Sequence, residues 1–280
     1  MRNEIIHLKD RFPFLGENDC DPTLELFLPR NLAEMGWEDK MRPCMLICPG
    51  GGYQFVSARE SEPIALHLLP EGFNVFILNY STGGKPYPTQ LREVAAAMNL
   101  IHENRDAWHC DTNRIAIMGF SAGGHLAAHY SNRWDCPQVR EMFPESKPVN
   151  ASVLCYPVIT ADPAYSHKGS FFYLAGGAYP ETEERQIFFS CDKMVTETTP
   201  PAFLWHTAAD QAVPVMNSLL YAQALSANKV PFELHIYPYG RHGLSTADHQ
   251  TNAEIPPEVA YVKDWLPSMK RWLNALFQIS

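Results

Sequence analysis

The sequence predicts an α/β architecture on a mostly parallel sheet, with helices on both of its faces. Three observations carry that expectation. Short runs such as CMLIC (44–48), FNVFILN (73–79) and RIAIM (114–118) are apolar along their whole length. Stretches with helical spacing alternate with them, and many of the 23 Pro and 16 Gly residues sit where runs end. Strands buried on both faces read as unbroken apolar runs, and alternation with helices implies crossover connections and parallel pairing.

In chain order, residues 4–9 and 23–28 are expected as short strands. The run 44–48 is a strand closed by a Pro-Gly-Gly-Gly turn. Residues 57–69 have helical spacing, 73–79 is a strand, and 89–104 is a helix opened by Pro88. The strand 114–118 leads into a helix over 122–132. A strand at 151–156 follows. Residues 157–199 lose the rhythm and are expected as an irregular insertion. The pattern resumes with a strand at 202–206, a helix at 215–228, a strand at 232–237 and a terminal helix at 258–277. One domain over 1–280 accommodates all of this, since ~280 residues bury a core without a disulfide or metal.

Composition narrows the function classes. With 46% hydrophobic and 19% charged residues the chain is globular, not disordered. Its formal charge is 22 − 31 = −9, without the basic surplus of a nucleic-acid binder. No apolar run approaches the ~18 residues of a membrane span. The opening MRNEIIHLKD has no apolar core of a signal peptide. The seven cysteines are odd in number and none are in C-x-x-C spacing. A reduced, cytoplasmic setting is therefore expected.

Four motifs carry chemistry. Gly119-Phe120-Ser121-Ala122-Gly123 follows a strand and opens a helix. A sharp strand-to-helix turn lifts a serine hydroxyl above the sheet, and glycines on either side leave room for it. The helix N-terminus adds free N–H groups and partial positive charge beside that hydroxyl. Pro49-Gly50-Gly51-Gly52-Tyr53 follows the strand 44–48. Its bare backbone N–H groups, with that of Ala122, suit an oxyanion hole. A phosphate loop would need a following Lys or a G-x-G-x-x-G pattern, and neither is present.

The third motif holds Asp210, after the strand 202–206, and the fourth holds His242, after the strand 232–237. A serine needs a base to take its proton and an acid to orient that base. The order Ser121, Asp210, His242, each at a strand end, meets that need at the edge where α/β sheets bind ligands. His249 is the rival base and Asp162 the rival acid. His125 and His129 have the i, i+4 spacing of a metal pair but no H-E-x-x-H context, so they read as ordinary residues of a helix flank. Tyr53 and Phe55, beside the glycine turn, are candidate substrate contacts. Tyr165, Phe171, Phe172, Tyr173 and Tyr179 crowd the insertion, where they either stack on substrate or pack the insertion onto the core.

These motifs resemble the α/β-hydrolase superfamily. More narrowly, the sequence is similar to bacterial carboxylesterases related to hormone-sensitive lipase and to acetylxylan and feruloyl esterase-like members. The resemblance rests on PGGGY (49–53), NYSTGGKPYP (79–88), GFSAGG (119–124), D-x-x-V-P (210–214) and G-x-H-G (240–243), in family order over nearly the whole chain. It implies Ser121 as nucleophile, His242 as base, Asp210 as its orienter, and Gly51, Gly52 and Ala122 as oxyanion donors. It also implies about eight strands, one of them antiparallel near the start, with 157–199 as a short cap. Pro49 stands where the lipase-like H-G-G-G loop has its histidine, which favours the branch acting on sugar esters.

The implied activity is hydrolysis of short-chain carboxylic esters, acetylated sugars or xylan-derived esters among them, without metal or organic cofactor. An amidase of the kynurenine formamidase type, a peptidase on the same fold and a non-catalytic binding protein remain open. The expected partner is a small-molecule ester. A homodimer is the commonest closed assembly should the chain self-associate.

Overall fold

The computed structural model describes residues 1–279. Eight strands form one sheet in the order β1-β2-β4-β3-β5-β6-β7-β8. They are β1 (Arg2–His7), β2 (Thr23–Leu28), β3 (Arg42–Cys48), β4 (Asn74–Asn79), β5 (Cys110–Phe120), β6 (Ala151–Cys155), β7 (Ala202–Thr207) and β8 (Phe232–Tyr237). Only β2 runs against its neighbours, pairing antiparallel with β1 and β4. All pairs from β4 to β8 are parallel. This is the mostly parallel sheet that the sequence predicts.

The helices are α1 (Leu8–Arg11), α2 (Glu62–Leu68), α3 (Thr89–Glu103), α4 (Ala122–Arg133), α5 (Pro137–Arg140), α6 (Lys168–Leu174), α7 (Glu183–Phe189), α8 (Met216–Ala227) and α9 (Trp265–Phe277). Side chains alternate across a strand, so each central strand feeds two cores. Cys44, Leu46 and Cys48 of β3 join Ile115 and Ile117 of β5 under α3, α4 and α8. Met45 and Ile47 join Ala116, Met118, Phe203 and Trp205 under α2 and α9. In α9, Trp265, Met269 and Leu273 recur every four residues and are buried. Each such side chain stabilises the fold by ~1.5–3 kcal/mol.

Two expected helices are shorter than their spacing suggests, and proline is the cause. The pattern over 57–69 resolves into a 3-10 turn (Ala58–Glu60) and then α2, with Pro63 in its first turn. The terminal helix expected over 258–277 is a 3-10 stretch (Pro257–Asp264) followed by α9. Pro267 has no N–H to offer the carbonyl four residues back, so the helix begins near it instead of running through. The strand expected at 4–9 ends at His7, because Leu8 turns away and donates its N–H to Pro22. The segment 157–199 contains α6 and α7, each only seven residues long, too short to imprint a period on the sequence.

Candidate active site

The C-terminal ends of β3, β5, β7 and β8 deliver the four motifs to one edge of the sheet. Ser121 sits between β5 and α4 with φ 54° and ψ −119°, a strained conformation for a residue with a side chain. Its flanking glycines are required by contact. A Cβ on Gly119 would lie 2.1 Å from the Gly123 carbonyl oxygen, and one on Gly123 would lie 2.1 Å from that of Cys48. The turn can close only with glycine at both positions.

Ser121 Oγ lies 2.8 Å from His242 Nε2, and His242 Nδ1 lies 2.6 Å from Asp210 Oδ2. The other oxygen of Asp210 accepts from the N–H groups of Ala212 and Val213, both at 2.9 Å. Burial pushes the Asp210 carboxyl up. Hydrogen bonds from His206 and His242, the His242 charge and the Val213 N–H outweigh it and hold the group well below its usual value. An ionised Asp210 accepts the Nδ1 proton of His242, which leaves Nε2 free to accept one from Ser121. The structure thus brings together the three side chains singled out in the sequence. The rivals lie elsewhere: Asp162 is exposed and accepts from the Ala164 N–H, while His249 is exposed and makes no hydrogen bond among the described residues.

Sequence reasoning missed His206. It is fully buried in β7, with Nε2 2.9 Å from the Val213 carbonyl and 3.3 Å from Asp210 Oδ2. A carbonyl partner makes Nε2 the protonated nitrogen, so Nδ1 accepts from the Ser218 hydroxyl at 2.8 Å. The available signal was a histidine four residues before the acid.

The glycine turn is shaped by backbone. Gly51 and Gly52 have φ of 125° and 65°, and a Cβ on Gly51 would meet the Phe55 carbonyl oxygen at 2.0 Å. The Gly50 N–H donates to Glu60 Oε2 at 2.8 Å. The N–H groups of Gly51 and Gly52 make no hydrogen bond among the described residues. Ala122 opens α4, where a first-turn N–H has no partner one turn back. These three free donors border the same turn as the serine.

Glu60, 3% exposed, also went unread. Its second oxygen accepts from the Tyr156 hydroxyl at 2.6 Å, and that hydroxyl accepts from the Ser245 N–H at 3.0 Å. The Tyr156 ring stands edge-on to His242, with centroids 5.0 Å apart. Ser245 Oγ donates to the Arg59 carbonyl at 2.6 Å. One buried carboxyl thereby ties the glycine turn to the loop that carries His242.

Tyr53 corrects an expectation. The left-handed bend at Gly51, Gly52 and Tyr53 (φ 60°) turns its side chain inward, where it is 1% exposed. Its hydroxyl meets His125 Nδ1 at 2.9 Å, and His125 Nε2 meets the Phe189 carbonyl at 2.8 Å. Tyr53 therefore packs the core and does not line the cavity. Burial lowers the pKa of His125 to about 4, so it stays neutral, and both of its nitrogens are occupied. His129 stacks on Tyr87 at 5.3 Å. Among the described residues no three His, Cys, Asp or Glu side chains gather to hold a metal ion.

Phe55, by contrast, is 59% exposed and lines a cavity of about 730 Å³ with Gly51, Gly52, Arg59, Ser121 and His242. His167, from the segment after β6, lines it too. The five aromatics of that segment do not: Phe171 is buried against His125, and the Tyr179 hydroxyl bonds to the Ala161 carbonyl. A second cavity, about 870 Å³, opens beside His242 between Tyr239, Arg241 and Leu244.

This sheet, with a serine at the strand–helix turn and an acid and a base at later strand ends, defines an α/β-hydrolase. The chain belongs to the BD-FAE family, whose family model matches residues 32–225. Among curated proteins it is 37% identical to endo-1,4-beta-xylanase B of Butyrivibrio fibrisolvens, over 80% of this chain and 36% of that protein. It is 30% identical to the acetylxylan esterase of Xylanibacter ruminicola, over 70% of this chain and 40% of that protein. The chain thus spans well under half the length of these two relatives. Among solved structures, an acetyl ester-xyloside bifunctional hydrolase from Caldicellulosiruptor lactoaceticus superposes with a TM-score of 0.84 at 34% identity, covering 100% of this chain and 98% of that one. A carboxylesterase from Lactobacillus plantarum gives 0.83 at 28% identity, over 100% and 99%. No helix among the described residues is long and apolar enough to cross a membrane.

Proposed function

We propose that the protein is a serine esterase that cleaves short-chain esters, acetylated sugars among them, through an acyl-enzyme on Ser121. The observation that carries this reading is the unbroken chain from Ser121 Oγ through His242 to Asp210, with links of 2.8 and 2.6 Å, opening on a cavity beside unpaired backbone donors. Ser121 attacks the ester carbonyl while His242 Nε2 takes its proton. Asp210 holds His242 in the right tautomer and stabilises the imidazolium that forms. The N–H groups of Gly51, Gly52 and Ala122 receive the oxyanion, each donor of this kind being worth ~2.7–4 kcal/mol in the transition state. His242 returns the proton to the departing alcohol. Water, deprotonated by the same nitrogen, then releases the acid. Residues 157–199 act as a cap on this edge of the sheet.

The substrate class draws on the relatives, one named an acetylxylan esterase and one an acetyl ester-xyloside hydrolase. The test is hydrolysis of p-nitrophenyl acetate, butyrate and octanoate by the wild type and by Ser121→Ala. The expected result is fastest turnover of acetate and a variant with kcat reduced on the order of 10⁶-fold. A variant as active as the wild type overturns the nucleophile assignment.

A further inference from the structure

His167 is a cavity-lining side chain whose hydrogen bonding is only half explained. It is half-buried and stands at the N-cap of α6. Its Nδ1 accepts from the Ser170 backbone N–H at 3.3 Å and lies 2.8 Å from the Ser170 hydroxyl. An N–H cannot accept, so the backbone bond fixes Nδ1 as the unprotonated nitrogen and places the ring proton on Nε2. Capping explains Nδ1 alone. Nε2–H makes no hydrogen bond among the described residues, on a ring that lines the cavity with Ser121 and His242. The ring lies over the glycine turn, with Cε1 3.9 Å from where a Cβ of Gly52 would be.

The surroundings favour the neutral ring. Burial lowers the pKa of His167, the His242 charge lowers it further, and Asp210 opposes both. A neutral imidazole with its proton on Nε2 and its other nitrogen occupied is a donor and not a second base. The developing oxyanion already has backbone donors in Gly51, Gly52 and Ala122, and the departing oxygen faces His242. A short acyl group such as acetyl carries no further oxygen. The remaining acceptors in an acetyl ester are therefore on the alcohol.

We propose that His167 is a specificity residue whose Nε2–H donates to a non-reacting oxygen, hydroxyl or ring ether, of a polyol alcohol bearing the scissile ester. Phe55, 59% exposed on the same cavity wall, offers a flat apolar face for the carbon skeleton of that alcohol. This inference rests on the serine esterase reading. Within it, His167 distinguishes a hydroxylated alcohol from a plain one, because a donor left unpaired in the complex penalises an alcohol that lacks the acceptor.

The experiment compares two substrates, p-nitrophenyl acetate and an acetylated methyl xylopyranoside, in the wild type, His167→Ala, His167→Gln and Ser121→Ala. His167→Ala is expected to lower kcat/KM on the xyloside about tenfold, mainly through KM, as for loss of one hydrogen bond. On p-nitrophenyl acetate the loss is expected to be several-fold smaller than on the xyloside, and a melting curve on the same sample reports a folded protein. His167→Gln, which keeps an N–H donor, is expected to recover part of the loss. Equal losses on both substrates, no loss on the xyloside, or a wild type inert towards the xyloside would each overturn the role of His167. Failure of the esterase reading shows separately, as Ser121→Ala retaining activity on p-nitrophenyl acetate.

Discussion

The two halves of the site are held in place by different means. The serine turn is fixed locally, by Gly119 and Gly123, where any Cβ would strike backbone, and by a strand that runs directly into a helix. The glycine turn and the His242 loop are fixed at long range. Glu60 binds the Gly50 N–H and the Tyr156 hydroxyl, and Tyr156 in turn binds Ser245, 89 positions further on. Local steric constraint leaves a spacing in the sequence. A buried network joining distant residues leaves none, although it ties together the two loops that border Ser121 and carry His242.

Breaking the local half should have the largest effect. Ser121→Ala is expected to reduce kcat on the order of 10⁶-fold with little change in thermal stability, measured by steady-state kinetics beside a melting curve. Asp210→Asn comes next, at about 10⁴-fold in kcat, because the amide favours the wrong tautomer of His242. The long-range half is tested by Glu60→Ala. That change leaves two buried donors, the Gly50 N–H and the Tyr156 hydroxyl, without an acceptor. The expected loss is about 1–3 kcal/mol of stability for each orphaned group. In kcat it is about 10²-fold, since an ångström of misplacement has that effect. Denaturant titration and kinetics on the same samples check both, and unchanged kcat in a folded variant would show that the network does not position the site.

Glu93 sharpens the contrast, as a buried carboxyl with only half its bonds. One oxygen accepts from the Ser81 N–H at 2.8 Å, and the other has no partner among the described residues. Burial raises its pKa from 4.5 to about 7. Between those values the folded protein holds a proton that the unfolded chain has lost, so stability falls as pH rises through that window and stays lower above it. The contribution is on the order of 3 kcal/mol. Glu93→Gln should flatten that part of the stability profile, as denaturant midpoints at pH 5 and pH 7.5 would reveal. The smallest effect is expected from Tyr53→Phe, which removes the bond to His125 at a cost of about 1 kcal/mol. Activity within about twofold of wild type would agree with its buried position.

The same division decides what the sequence discloses. The strands from 44 onward, and Ser121, Asp210 and His242, were legible because apolar runs, flanking glycines and strand-end positions all have fixed spacing. Tyr53 was misplaced because its direction depends on three successive positive φ values, a backbone property that its neighbours' identities do not display. His206, Glu60 and His167 carry no motif. Each is defined by what it meets across the fold: Asp210 for His206, the glycine turn and Tyr156 for Glu60, and the cavity for His167. The helices α6 and α7 were invisible for the simpler reason of length.

The central claim is that Ser121, activated by His242, is the nucleophile. It is tested most directly by labelling the protein with a fluorophosphonate and mapping the modified peptide by mass spectrometry. The account predicts one label per chain, on Ser121, absent in Ser121→Ala and strongly slowed in His242→Ala. A label on another residue, or ester hydrolysis that persists after Ser121 is fully modified, would contradict it.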